Sequence, residues 1–216
     1  MKKILAALLA SVWLQTGMAS APVFQQPATV EQVSALIAPA AKELKQSPVL
    51  RGRFTQRKYL KDIPKPLNSS GDFIVAREQG IYWHTRLPFD SEFILTRGSM
   101  VQLDGGTTAV RLSAAQPGLR VVGDVFFSIF NLDPAALAGN FSLFGLAGKR
   151  GAWLLGLSPK NPALASVLNA AVISGNTRVE KVELWDAHGD RTEILMMASK
   201  ARASVLTPAE AALFGK

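Results

Sequence analysis

Apolar residues at Val30, Val33, Ile37, Ala41 and Leu44 recur at the spacing of one helix face. Thr29 precedes this stripe and Gln32 follows three positions later, a capping-box signature for a helix start. Pro39 falls inside the stripe, so the helix is predicted to kink or split there, and Pro48 closes it. From residue 49 the period changes to two. Leu50, Gly52 and Phe54 alternate with Arg51, Arg53 and Thr55, the pattern of a half-buried strand. Short strands are then predicted over Gly71–Arg77, Ile81–Thr85, Ser91–Thr96, Ser99–Leu103 and Thr107–Leu112. Turn signals at Glu78–Gly80, Leu87-Pro88, Arg97-Gly98 and Asp104–Gly106 separate them.

Between Asp124 and Ala138 the alternation stops. Val125, Phe126, Phe127, Ile129, Phe130, Leu132 and Leu137 are apolar on most sides, Asp124 suits an N-cap, and Asn131–Pro134 interrupts. One or two short helices are predicted. Strands resume at Phe141–Leu146 and Ala152–Leu157 across a Gly148–Gly151 turn, then at Ala170–Ser174 after a short helix near Pro162–Leu168. Arg178–Trp185 and Arg191–Met197 form a last hairpin, and Thr207 with Pro208 opens a terminal helix. Short strands at this spacing predict one meandering antiparallel sheet or barrel, with no linker dividing two cores.

The first residues read as an address. Lys2 and Lys3 precede an apolar run from Ile4 to Leu14 and a small-residue exit, a secretory signal peptide too short to span a bilayer. Cleavage after Ala19 avoids Pro22 as the first mature residue, giving a signal over 1–19 and a single domain over 20–216. The periplasm is the expected compartment. The chain carries 48% hydrophobic and 19% charged residues, which excludes a disordered chain, and it has no cysteine. Disulfides, a thiol nucleophile and Cys-ligated metals are therefore excluded. The formal charge of +8 falls by the two lysines lost with the signal.

Candidate chemistry is sparse. The chain has 2 His, and the Asp186, His188, Asp190 series lacks the remaining ligands of a calcium loop, so it reads as a hairpin turn. No metal site, cofactor or catalytic residue is expected, and His84 reads as a structural strand residue. Gly148-Lys149-Arg150 lacks the first Gly and the Ser/Thr of a phosphate loop. Arg51, Arg53 and Arg57 share the strand face opposite Leu50 and Phe54. They form a solvated outer face or a weak attraction to anionic membranes, and nucleic acid is not an expected partner of an exported protein.

The apolar excess is arranged as if around a hollow. Phe54, Phe73, Val75, Ile81, Trp83, Phe93 and Leu95 share strand faces, and the greasy segment with Phe126, Phe127 and Phe130 would insert as a lid. A sheet curved around such a lid encloses either a packed core or a ligand cavity. Arg77 has the strand parity of Phe73 and Val75, so it points to the apolar side or swings to solvent; inside, it needs acceptors such as lid-helix carbonyls.

The stretch Gly52–Gln56, then Ser70–Arg77, Gly80–Trp83 and Pro88 resembles the periplasmic outer-membrane lipoprotein carriers, the LolA-like proteins. Leu157–Lys160 is similar to their L-x-P-K turn, and Val182–Asp186 with Gly189–Thr192 to their closing hairpin. The resemblance implies a mainly β fold, an open antiparallel half-barrel (an incomplete β-barrel) covered by a helical lid, with an apolar cavity for acyl chains. By the same resemblance Arg77 latches the lid, Ile81 and Trp83 line the cavity, and the protein is a monomeric carrier and not an enzyme; a lipid- or protein-sensing regulator on the same fold is the alternative, with an enzyme a more distant one. Its implied partners are an acylated lipoprotein or other lipid as cargo, an inner-membrane donor transporter and an outer-membrane acceptor. Pro39, the Phe-rich lid and the terminal helix from Thr207 depart from the usual pattern, and the Pro66–Gly71 entry with the Gly80–Trp83 strand is similar to divergent members, which leaves lipoprotein and other lipid both open as cargo.

Overall fold

Helix capping sets the start of the fold. In the computed structural model, which describes residues 21–113, 127–199 and 205–215, the Thr29 hydroxyl accepts from the Gln32 N–H and the Gln32 side chain accepts from the Thr29 N–H. This capping box opens α1 (Val30–Leu36). The predicted break falls at Ile37, whose ψ of 5° leaves the helical range. The next helix, α2 (Ala38–Gln46), takes Pro39 in its first turn, where a missing N–H removes no helical bond.

Eleven strands follow in one antiparallel sheet. They are β1 (Val49–Tyr59), β2 (Leu67–Ala76), β3 (Gly80–Leu87), β4 (Ser91–Thr96), β5 (Ser99–Asp104), β6 (Thr107–Ser113), β7 (Phe141–Ala147), β8 (Trp153–Pro159), β9 (Leu168–Gly175), β10 (Val179–Asp186) and β11 (Arg191–Ala198). β2 begins before the predicted Gly71 because β1 carries it: Lys58 pairs with Leu67 and the ladder runs unbroken to Val49 opposite Ala76. The spatial order β6-β5-β4-β3-β2-β1-β11-β10-β9-β8-β7 joins the two halves through β1 and β11. β6 and β7 therefore stand at opposite ends of the order without pairing to each other. The sheet is an open half-barrel, and the chain between β6 and β7 carries helices, α3 (residues 127–131) and α4 (Pro134–Asn140).

Both helix pairs pack on the concave face. Val33, Ile37 and Ala40 from α1–α2 join Ile129, Leu132 and Leu137 from the α3–α4 segment in a cluster with Phe54, Phe73, Ile81, Leu95, Phe141, Trp153 and Ile173 of the sheet. Each such side chain contributes about 1.5–3 kcal/mol on burial, so this cluster carries most of the stability. The expected helix at Pro162–Leu168 is shorter, α5 (Pro162–Ala165), with Asn161 as its cap.

The convex face is covered at two places. A 3₁₀ turn over Pro22–Gln25 buries Val23 and sets Phe24 edge-on to Phe144, with ring centroids 5.3 Å apart. The chain then runs along β7, where Ala28 N–H donates to Leu143 and Gly145 N–H donates to Gln26, so this strap satisfies an otherwise unpaired sheet edge. At the other place α6 (Pro208–Leu213) lays Leu213, with Phe214 just beyond it, on a second cluster of Tyr82, Ile94, Val101 and Leu103. Arg51 grips Glu210 with two guanidinium nitrogens and holds α6 there.

Candidate functional site

The concave side of β1–β4 gathers the aromatic residues singled out by strand parity. Gly52 stands opposite Phe73 and Gly71 opposite Phe54. A Cβ at Gly52 would lie 2.7 Å from the Phe73 ring, and one at Gly71 would lie 3.0 Å from the Phe54 ring and 1.8 Å from the His84 carbonyl oxygen. Each glycine thus leaves room for a ring to lie across the neighbouring strand. Trp83, paired with Phe73 and Phe93, stacks on Phe54 at 4.0 Å and lies 5.8 Å from Phe73.

Phe54, Phe73, Val75, Ile81 and Leu95 are all buried in the main cluster, while Trp83 and Phe93 are partly buried against it. Of the lid residues, Phe127 and Phe130 are partly buried on the same cluster; Phe126 and the expected cap Asp124 lie outside the described residues. The described state is closed. Its apolar cavity, between α2 and the ends of β1, β10 and β11, measures about 40 Å³ and is lined by Leu44, Val49, Leu50, Phe130, Leu132 and Met196 among others. That volume admits a water or two. An acyl chain needs the helices to move.

A second opening of about 510 Å³ separates α2 from the turn joining α3 to α4, and Leu44 and Leu132 line both spaces. Arg77 lines this opening together with Lys42 and Lys45. Its backbone N–H donates to Pro48, but among the described residues its guanidinium has no hydrogen bond, so bonds to lid-helix carbonyls are not seen there.

Other cations hold the helices. Lys160 Nζ donates to the Ala138 carbonyl at 2.9 Å, and its backbone N–H donates to Asn140, both near the C-terminal end of α4 where positive charge is favoured. The Arg97 guanidinium sits 5.5 Å from the centre of the Phe127 ring, a cation–π contact that ties α3 to the β4–β5 turn. Neither residue carries a sequence signal for this role. Lys160 lay in the Leu157–Lys160 motif and Arg97 in a turn dipeptide, and only the fold shows what each one reaches.

Strongly shifted groups lie on the convex side. The Arg51 guanidinium, with help from Thr207, holds the Glu210 carboxyl down at about 2. Burial and the nearby Glu92 push the Tyr82 phenol up to about 12. His84 Nε2 donates to the Asp90 carboxylate at 2.7 Å on the same side, and Asp186 accepts from the His188 and Asp190 N–H groups, the turn predicted for that series. No group of three metal-ligating side chains occurs among the described residues.

Solved structures of low identity are similar to the chain. A LolA superfamily protein from Nitrosomonas europaea is 11% identical with a TM-score of 0.42, covering 82% of this chain and 96% of its own. A DUF1329 family protein from Desulfovibrio piger is 14% identical with a TM-score of 0.43, covering 82% and 95%. A domain described as an outer membrane lipoprotein-sorting protein, from Vibrio parahaemolyticus, is 10% identical with a TM-score of 0.41, covering 85% and 100%. No curated protein matches the sequence. The family model described as outer membrane lipoprotein carrier protein LolA does match, over residues 45–209 of the 216, and the chain belongs to that family.

Proposed function

We propose that this protein is a periplasmic carrier that takes up the acyl chains of a lipoprotein or another lipid beneath its helices and moves them toward the outer membrane. One observation carries the reading: four short helices rest on an apolar concave face of a sheet that is left open between β6 and β7. A closed barrel would offer a fixed cavity. Here the cover consists of separate segments tied to the sheet by side-chain packing, the Lys160 bond and the Arg97 contact, and such segments can be displaced by a ligand that binds the apolar face.

The physical need is set by the chain itself. Burying acyl methylenes is worth about 0.8 kcal/mol each, so a long chain leaves a membrane only for a site of similar apolarity. Phe54, Phe73, Val75, Ile81, Trp83, Phe93 and Leu95 would line that site once the lid residues Phe127 and Phe130 withdraw. The signal-like N-terminus supports export, and the family supports an inner-membrane donor and an outer-membrane acceptor as partners.

The test is binding followed by handover. Purified, delipidated protein should bind a fluorescent acyl probe and lose it to unlabelled fatty acid. It should also speed transfer of an acylated peptide between donor and acceptor vesicles. Binding without any gain in transfer would make the protein a lipid-sensing regulator, and no binding at all would make the concave face merely a core.

A further inference from the structure

The two openings share Leu44 and Leu132. Ser47, only 6% exposed, lines the apolar cavity, and among the described residues its hydroxyl is the buried side-chain oxygen with no hydrogen-bond partner. Such a group costs free energy unless something in the cavity accepts from it or donates to it. At the adjoining opening Lys42, Lys45 and the partly buried Arg77 line one space, and none has an ion-pair partner among the described residues. Asp133 also lines it, but its Oδ1 already accepts from the Ala135 and Ala136 N–H groups as the cap of α4. Glu43, on the cavity side of α2, faces Arg178 at 3.7 Å. The space therefore offers three cations against one engaged carboxylate, directly beside an apolar cavity.

We infer that this mouth selects an amphiphile with an anionic head, a carboxylate or a phosphate monoester, whose chain enters beside Leu44 and Leu132. Lys42, Lys45 and Arg77 face the head, and Ser47 donates to an oxygen at the junction of head and chain. A neutral diacylglyceryl head could accept from Ser47 but would leave the three cations without a counter-charge. The inference rests on the acyl-carrier reading above and adds the class of cargo to it.

Competition against a fluorescent acyl probe tests it with the full mature protein. Palmitate, palmitoyl lysophosphatidate and hexadecanol share a saturated chain and differ in the head. Exposed charge pairs are individually weak, so three together should give the anionic ligands about a tenfold advantage over the alcohol. The better of palmitate and lysophosphatidate identifies which anion is recognised. The Lys42→Gln/Lys45→Gln variant, whose exposed substitutions leave the core intact, should bring the advantage below about threefold without changing hexadecanol binding, and added salt should act in the same direction. Ser47→Ala should weaken the anionic ligands and stabilise the empty protein, since it removes the unpartnered hydroxyl. Equal displacement by all three ligands in the unaltered protein would overturn the inference and leave the carrier reading standing. So would an advantage that survives both the double variant and Arg77→Gln. If the probe itself never binds, the carrier reading falls and takes the headgroup site with it.

Discussion

Lys160 and Arg77 divide two tasks that strand parity alone would have merged. The alternation Phe73, Val75 puts both residues on the face where the helices pack, because a strand's faces follow from its period, and leaves Arg77 to point inward or swing to solvent. It did not say what the guanidinium meets. Arg77 lies just beyond the end of β2, where its N–H is bound to Pro48 while its side chain faces an opening. The cation that does reach a lid-helix carbonyl comes from across the sheet, and nothing local in Leu157–Lys160 records the distance to Ala138. Lys160→Met should therefore loosen α4. A solvent-exposed charged bond of this kind is worth about 1 kcal/mol, so stopped-flow loading of a neutral acyl probe should speed up about fivefold. Arg77→Leu should leave that rate within about twofold by the same conversion. The reverse pattern would place the latch at Arg77. Gly52 and Gly71 are plain strand positions in the sequence, and only the register sets each opposite a phenylalanine whose ring takes the space the missing side chain leaves.

At the scale of elements, the caps were readable and the docking was not. Thr29 with Gln32, and Thr207 with Glu210, each close a full capping box at the positions the sequence marks, and Pro39 divides α1 from α2. That α6 packs on the convex face was missed, although a signal existed. Ile81-Tyr82 and Ile94-Leu95 are apolar at consecutive positions, which a strand shows when both its faces are covered. Arg51 and Glu210 fasten that cover, and the carboxyl is held at about 2, well below its ordinary value. A depressed carboxyl pKa stabilises the fold above the unfolded value and loses that contribution as pH falls toward the folded one. Glu210→Gln should therefore cost about 1 kcal/mol in urea unfolding near neutral pH, allowing for partial exposure. The gap between variant and unaltered protein should shrink between the ordinary glutamate pKa and about 2. A gap unchanged across that window would mean that packing of Leu213 and Phe214, not the ion pair, holds α6.

The whole molecule is a sheet that could have closed and did not. Its antiparallel meander in a single sheet is legible from periodicity and turn chemistry. The position of the gap is not, because it depends on β11 pairing with β1 across nearly the full chain while β6 and β7 stay apart. Helices occupy the concave side, and their separateness is what makes a lid of them. The central claim is that an acyl chain displaces this lid and lies against the Phe54–Trp83 stack, and quenching by a brominated fatty acid measures it directly. Trp185 lies on the strand parity opposite Val182 and Leu184, which pack inward, so it reports on the convex side. Two variants on a Trp153→Phe background, one keeping Trp83 and one keeping Trp185, separate the faces. Strong, saturable quenching of Trp83 and little of Trp185 is the expected result. Quenching of Trp185 alone, or of neither while the fatty acid is bound, would contradict it.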